Sequence, residues 1–242
     1  MDEKTNVPLG VKNFYEKFSK IAAEAQKFCY MSRAKELQIR AREELEVLNA
    51  EAHKLKEKAI ADKQEDTANA MLSIENLIKM LIHELNMWIT LKDDDTGSAW
   101  NHLIYAQGAL RTAMQAHSLA CHLDDYVERL YVLEQLLFPP QLFSSPGMII
   151  REAKCSICDQ EYGECNHVAG RVYMGKMCAR VITQADLEEV SLVDKPANKL
   201  ARIISITDEE GVKRDILTWR IITDTSSELP KTQKNRQKPF LM

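Results

Sequence analysis

The sequence is poor in the residues that interrupt helices. Only 8 glycines and 7 prolines occur among its 242 residues, which favours helices over a turn-rich β fold. No uncharged apolar run reaches the roughly 18 residues that a membrane-spanning helix needs, so we expect no membrane span. The chain starts with polar residues and no apolar signal-peptide segment follows them. We therefore expect a cytoplasmic protein without a signal peptide.

An excess of positive charge is also lacking. The chain has 36 acidic residues against 32 lysines and arginines, which gives a formal net charge of -4. This balance argues against a general nucleic-acid binder, although it leaves room for a local basic patch. Hydrophobic residues make up 45% and charged residues 28% of the chain, as is usual for one large or two modest globular domains.

Apolar residues recur at helical spacing through the first half of the chain. One series runs from Val11 to Phe28 and a second from Ala41 to Ala59, and each predicts an amphipathic helix. The two series differ in phase, which predicts a stutter, a kink or a helix break near Ser32–Leu37. The second series lies in a region rich in Glu, Lys and Arg. It predicts a long helix of coiled-coil type that packs on this chain or on a copy of it.

Three further helices are predicted before the double proline at Pro139. The first follows an N-cap at Asp66-Thr67 and ends near Leu91, with an apolar arc wide enough for a central helix of a bundle. The second is capped by Ser98 and the third by Asp124. Pro139 and the next proline end the last helix.

The histidines of the helical half are predicted to be structural. His83 and His102 are single histidines in otherwise apolar helices. His117, Cys121 and His122 are close in sequence, but no further ligand is clearly spaced to complete a metal site around them. We therefore expect core or interface roles for all of these residues.

A change of composition divides the chain after the helices. We predict a helical bundle over 1–138, a linker over 139–147, a β domain over 148–223 and a disordered tail over 224–242. The β domain is expected to be one antiparallel sheet of four or five strands, with a hairpin loop at 208–211. The predicted strands are Met148–Ala153, a strand within Gly170–Ile182, Glu189–Val193, Leu200–Ile206 and Ile216–Ile222. The predicted class is α+β: an N-terminal helical bundle or coiled coil followed by a small zinc-stapled antiparallel β module.

Four of the six cysteines and one histidine lie within 24 residues. Cys155 and Cys158 form a Cys-x2-Cys pair, and Cys165 and His167 follow after a short loop. Two such pairs can supply the four ligands of a tetrahedral Zn²⁺, and a full set of protein ligands is typical of a structural site. Cys178 is an alternative fourth ligand. The clustering favours a metal in a reducing compartment over a disulfide framework.

The segment from Ile182 to Ile203 resembles the C-terminal portion of the phage prohead (capsid maturation) serine proteases. It contains Leu-Glu-Glu-Val-Ser-Leu-Val followed by Pro-Ala-Asn. In that family such a strand carries the Glu of a His-Ser-Glu triad, which implies this role for Glu189. The resemblance covers a small part of the chain, and it implies phage or prophage ancestry and a piece of the protease β fold.

The rest of the family's triad has poorer counterparts here. The family places its nucleophile on a Ser-Ile-Gly-Phe strand, and only Ser156-Ile157 is similar, with Cys158-Asp159 in place of Gly-Phe. No histidine matches the family's base, because the corresponding region is helical in this chain. These differences from the family pattern therefore favour a protein of phage or prophage ancestry that has no working triad.

These observations favour a phage- or prophage-related, zinc-binding interaction or assembly protein without catalytic activity. One alternative is a prohead-type serine endopeptidase using Ser156 and Glu189. Another is a zinc-dependent nucleic-acid-binding protein that uses the basic residues near the cysteines. The expected partner is a protein or a second copy, bound through the helical half.

Overall fold

The computed structural model of the chain describes residues 8–222. The predicted tail over 224–242 lies outside the described residues. Within them the α+β class is confirmed, since helices come first and small antiparallel sheets follow. The helices are α1 (Lys12–Gln26), α2 (Lys35–Ala61), α3 (Glu65–Lys92), α4 (Thr96–Ala116), a short 3-10 turn (Ser118–Ala120) and α5 (Asp124–Leu137). The strands are β1 (Phe143–Cys155), β2 (Val172–Tyr173), β3 (Lys176–Met177), β4 (Arg180–Val193), β5 (Ser205–Thr207) and β6 (Lys213–Asp215).

The chain forms two compact units. The first, called the helical unit here, contains the described residues up to Leu137 together with Asn166–Ala179. The second, called the ribbon unit, contains Phe138–Cys165 and the described residues from Arg180 onward. The sequence instead predicts a continuous β domain over 148–223.

Helix α3 is the centre of the helical unit, as its wide apolar arc predicts. It packs against α1, α2 and α4, and its buried residues include Ile74, Ile78, Leu81 and Leu85. The apolar stripe of α2 also lies where the sequence places it, and it packs against α3 of the same chain. The buried residues shared with the predicted stripe are Ala41, Leu45, Leu48, Ala52 and Ala59.

The helix boundaries agree with the predicted breaks, but the three predicted caps are wrong. Asp124 is the first residue of α5 and not the cap before it. The segment between Gln26 and Lys35 is non-helical, which confirms the expected interruption. Helix α3 begins at Glu65 after Gln64, one residue before the predicted cap. The N-cap of α4 is Asp95, whose carboxylate accepts a hydrogen bond from the Ser98 N–H at 2.9 Å. Ser98 is therefore the donor at the third helical position and not the cap, a geometry that an acidic N-cap favours.

A buried carboxylate joins two helices of this unit to the segment that follows α1. Glu84 on α3 is completely buried and accepts hydrogen bonds from the Tyr126 hydroxyl and the Arg129 guanidinium of α5. Arg129 also donates to the backbone carbonyl of Cys29 at 2.9 Å. Burial raises the pKa of Glu84, while the Arg129 charge and the Tyr126 hydrogen bond act in the opposite direction. The network fixes α5 and the segment between α1 and α2 to the central helix.

A second buried carboxylate links α2 to α3. Glu75 accepts from the Lys56 ammonium at 2.5 Å and from the Lys79 ammonium at 2.6 Å. Burial by itself would raise the pKa of Glu75, but the hydrogen bonds and charges of the two lysines outweigh it and lower that pKa. Glu75 is therefore an ion-pair partner of both lysines.

The described strands form three two-stranded sheets in place of the predicted sheet of four or five strands. The pairs are β1 with β4, β2 with β3 and β5 with β6, all antiparallel. The predicted strand over Gly170–Ile182 is interrupted because Met174 and Gly175 both adopt positive φ, at 45° and 68°. Two such residues form the tight turn of a hairpin, so this segment supplies β2, β3 and only the start of β4.

The β1–β4 pair is a long ribbon in the ribbon unit. Its ladder runs from Phe143 opposite Val193 to Cys155 opposite Arg180. Strand β1 begins at Phe143, so it includes part of the predicted linker. Pro146 is tolerated inside β1 because both strands of a two-stranded sheet are edge strands.

The last strands are shorter than predicted. The hairpin loop at 208–211 is confirmed, and it joins β5 to β6. The predicted strand Ile216–Ile222 is wrong, because Asp215 accepts hydrogen bonds from the backbone N–H groups of Leu217 and Thr218 and so turns the chain. Among the residues that the structure describes, no helix has both the length and the apolar character required to cross a membrane.

Candidate metal centre

The backbone folds into a tight knuckle directly after β1. The Cys155 N–H donates to the Gln160 carbonyl at 2.8 Å, and the Asp159 N–H donates to the Cys155 carbonyl at 2.9 Å. Asp159 adopts a left-handed φ of 60°, which Asp tolerates better than most residues. The Tyr162 N–H then returns to the Ala153 carbonyl at 2.8 Å. These bonds fold the segment that contains Cys158 back onto the end of β1, where Cys155 lies.

The four predicted ligands come together. One potential ligand atom each from Cys155, Cys158, Cys165 and His167 lies within 4.8 Å of the other three. Zn–S bonds of about 2.3 Å place two sulfurs of a tetrahedral site about 3.8 Å apart. The group therefore needs only a small contraction to enclose an ion, and three thiols with one imidazole are a donor set that suits zinc.

The environment of Cys155 favours the thiolate, which is the form that binds a metal. Burial by itself would raise the pKa of this thiol. Hydrogen bonds from the backbone N–H groups of Cys158 and Ile157 and from the thiols of Cys158 and Cys165 outweigh burial and lower the pKa of Cys155 to about 6. The Ile157 N–H lies 3.4 Å from the Cys155 sulfur. The knuckle thus stabilises a negative sulfur through its own backbone.

His167 is positioned by Tyr173 of β2. The two rings meet edge to face with their centroids 4.7 Å apart, and the Tyr173 hydroxyl accepts from the Val168 N–H at 3.0 Å. The His167 Nδ1 atom is buried and has no hydrogen-bond partner among the described residues. A buried nitrogen without a partner is costly unless it binds something. This nitrogen fits a metal ligand.

The Cys178 thiol is not a member of the four-residue group. Cys178 is buried, and its backbone pairs in both directions with the preceding turn. Its N–H donates to the Arg171 carbonyl at 2.8 Å and its carbonyl accepts from Gly170 at 2.9 Å. Of the two predicted choices for the fourth ligand, the structure places His167 with the three cysteines.

The β2–β3 hairpin next to His167 docks on the helices of its own unit. Its turn donates from the Gly175 N–H to the Asn69 amide oxygen at 2.7 Å and from the Met174 N–H to the Glu65 carboxylate at 3.2 Å. A Cβ atom at Gly175 would lie 3.1 Å from the Ala68 carbonyl oxygen. No local sequence pattern predicts this contact, because it joins residues more than 100 positions apart.

The structure does not bring the two candidate protease residues together. Ser156 follows Cys155, which pairs with Arg180, whereas Glu189 pairs with Gly147. Eight residues of β1 separate the two ladder positions, which at about 3.3 Å per residue is about 26 Å along the ribbon. A triad requires hydrogen-bond contact between its members, so these two residues do not belong to one triad in this conformation.

Several basic side chains near the knuckle have partners within the ribbon unit. Arg151 pairs with Asp186 at 2.7 Å and Lys154 lies 3.5 Å from Asp159. The Arg180 guanidinium lies over the Tyr162 ring. This local pairing reduces the positive charge offered to a phosphate backbone.

A pair of histidines in the helical unit was not foreseen. His83 on α3 and His102 on α4 lie with their Nδ1 atoms 3.1 Å apart. The two residues are nearly symmetric about the turn between α3 and α4. In an antiparallel helix pair, two residues at equal distances from the connecting turn face each other. The positions of the two histidines relative to this turn are therefore the sequence feature that indicates their contact.

A comparison of the chain with models of protein families finds no match, and comparisons with curated proteins and with solved structures find none either. We therefore infer the function from the chemistry of this chain's own residues.

Proposed function

We propose that this chain is a zinc-binding interaction or assembly module without catalytic activity, of phage or prophage ancestry. The observation that carries the proposal is the group of three cysteines and one histidine around a common centre. Four protein ligands leave no open position for a substrate, which is the arrangement of structural zinc sites. The ion would cross-link the four side chains and so hold the knuckle in shape.

The interaction surface that we propose is the β1–β4 ribbon. On strand β4 the exposed fractions of Leu187, Val190 and Leu192 are 64%, 59% and 63%. Val190 and Leu192 are two residues apart and so lie on one face of the strand. Apolar residues grouped on an exposed face are a common feature of interaction sites. The apolar stripe of α2 is already covered by α3, which leaves it less suited to self-association than the sequence suggests.

The placement of Ser156 and Glu189 favours this function over the protease alternative. A serine nucleophile needs a base and an orienting group within reach. Glu189 lies far along the ribbon from Ser156, next to Gly147 and accepting from the Ser191 hydroxyl at 3.3 Å. Ser156 stands between two candidate metal ligands, where its movement is restricted.

Metal content and cobalt spectroscopy test the zinc site. We expect one zinc per chain in the purified protein, and intense visible absorption of a tetrahedral cobalt-thiolate centre after exchange with Co²⁺. Cys165→Ser should abolish both signals. Cys121→Ser is the matched control, because this exposed cysteine lies outside the group, and it should bind as the unchanged protein does. Full zinc content in Cys165→Ser would contradict the site, and loss of zinc in Cys178→Ser would point to the other ligand set.

Light scattering tests the ribbon as an interaction surface. We expect full-length protein to self-associate as its concentration rises, and the double change Val190→Ser with Leu192→Ser to remove that association. Val47→Ser is the control, since Val47 is also exposed, to 73%, but lies on α2. A single-chain mass at every concentration would contradict self-association. Retention of metal by the double variant would show that its knuckle is intact.

A further inference from the structure

His83 of α3 and His102 of α4 hold their ring nitrogens at a distance that suits both a hydrogen bond and a shared metal ion. The His83 and His102 Nδ1 atoms lie 3.1 Å apart, and the ring planes differ by 34°. Both side chains are half-buried. Two neutral imidazoles can share one hydrogen between these atoms, with one ring donating and the other accepting.

The same distance suits two nitrogens bound to one metal ion. Metal–nitrogen bonds of about 2.0–2.1 Å that meet at angles between 90° and 109° place the two nitrogens about 2.9–3.4 Å apart. The observed separation falls inside that interval. Because each histidine is fixed on its own helix, the folded backbone holds the pair in a chelating geometry before any ion binds.

Burial lowers the pKa of both histidines, which favours the neutral imidazole that binds a metal. The Lys79 charge lowers the pKa of His83 further, but this ammonium is 2.6 Å from Glu75 and is engaged in that ion pair. On α4 the Asp95 carboxylate acts in the opposite direction on the pKa of His102. The Tyr105 ring packs 5.2 Å from the His83 ring and is partly exposed. The pair thus borders solvent, from which water can fill further coordination positions.

We propose that His83 and His102 form a second metal site, which binds a divalent transition-metal ion such as Zn²⁺ or Ni²⁺ through both Nδ1 atoms, with water as the other ligands. Imidazole nitrogens suit these ions, and Mg²⁺ and Ca²⁺ prefer oxygen. Binding needs both Nδ1 lone pairs, so the shared hydrogen leaves Nδ1 and the same ring takes up a hydrogen at Nε2. No net proton is released from the neutral pair. The ion would link α3 to α4 and stabilise the folded helical unit.

The experiment starts from full-length protein already loaded with one equivalent of Zn²⁺, so that the cysteine group is occupied. Further Zn²⁺ is added while the imidazole nitrogens are followed by ¹H–¹⁵N NMR. We expect the Nδ1 resonances of His83 and His102 to shift together, and both rings to become Nε2-protonated. Calorimetry should show that His83→Ala and His102→Ala each lower the affinity of the second ion at least tenfold. Mg²⁺ should not compete.

His122→Ala is the control variant, since this exposed histidine lies outside the pair, and it should leave the second binding event unchanged. The NMR measurement on unaltered protein keeps the test valid if an alanine variant folds poorly. The proposal is overturned if His83 and His102 do not respond to the second equivalent, or if well-folded His83→Ala binds it with unchanged affinity. Because the first site stays loaded throughout, these outcomes are separate from those that test the cysteine group.

Discussion

The turn of the β2–β3 hairpin offers a sharp test of how this segment is attached to the helices. Gly175 has a φ of +68°, and an added Cβ would lie 3.1 Å from the Ala68 carbonyl oxygen and 3.3 Å from the Ala68 Cβ. Its N–H also donates to the Asn69 side chain at 2.7 Å. Replacement by alanine therefore acts on the backbone conformation and on the docking contact together. We expect Gly175→Ala to destabilise the helical unit.

A second glycine separates the two effects. Gly170 has a similar φ of +82°, but a Cβ there would meet nothing within 4 Å. An L-residue in the left-handed region costs about 1–2 kcal/mol, and we expect Gly170→Ala to cost that amount alone. Gly175→Ala adds the crowding against Ala68 and the weakening of the Asn69 hydrogen bond, together about 1–2 kcal/mol. The difference between the two variants is the contribution of docking.

The assay is urea unfolding of metal-saturated protein, followed by the helical circular dichroism signal. Free energies of unfolding are compared for the unchanged protein, the two glycine variants, Asn69→Ala and the double variant Asn69→Ala with Gly175→Ala. We expect the double variant to cost less than the two single changes combined, because each disrupts the same contact. Equal costs for Gly175→Ala and Gly170→Ala, together with additive costs for Asn69 and Gly175, would refute a docked hairpin.

Two buried carboxylates of the helical unit give further predictions. Glu84→Ala should lower the free energy of unfolding by about 3–5 kcal/mol, because Arg129 then loses its carboxylate partner. The control is Glu128→Ala at an exposed position, which should change the free energy of unfolding by no more than about 0.5 kcal/mol. Equal effects of the two changes in urea unfolding would contradict the network. The lysine partners lower the pKa of Glu75 in the folded chain, so the unfolded chain binds a proton at this residue more readily. The contribution of Glu75 to stability is therefore present above its unfolded pKa of about 4.5 and is lost as the pH falls below that value. Unfolding measured between pH 6 and 3 should therefore show a smaller acid-induced loss of stability in Glu75→Gln than in the unchanged protein, and parallel curves would show that the ion pair contributes nothing.

The helices were predictable because their signal is local. The stripe from Ala41 to Ala59 follows the helical period, and that period by itself decides which side of α2 is buried. The break before α2 follows from a change of phase in the same pattern. The cap at Asp95 was missed because Asp95 and Ser98 are both good capping residues, and the choice depends on where the first turn begins.

The sheets were less predictable because strand pairing is not local. Cys155 pairs with Arg180 and Gly147 pairs with Glu189, and nothing in either strand specifies that register. Gly175 lies inside a segment that the sequence predicts as a strand. Its positive φ, together with that of Met174, turns one predicted strand into a hairpin. The His83–His102 pair was missed for a related reason, since it requires the register between two helices.

The size of the knuckle explains why its order should depend on a metal ion. Every residue from Ser156 to His167 keeps part of its surface exposed, so this segment buries little apolar area. Ordering its 12 residues costs about 12–18 kcal/mol at about 1–1.5 kcal/mol each. A disulfide would return about 2–4 kcal/mol, whereas a structural zinc contributes about 10–16 kcal/mol. Only the metal matches the cost of ordering, and the lowered pKa of Cys155 provides a thiolate to bind it. This balance supports the proposal that the cysteine group is the folding centre of the knuckle.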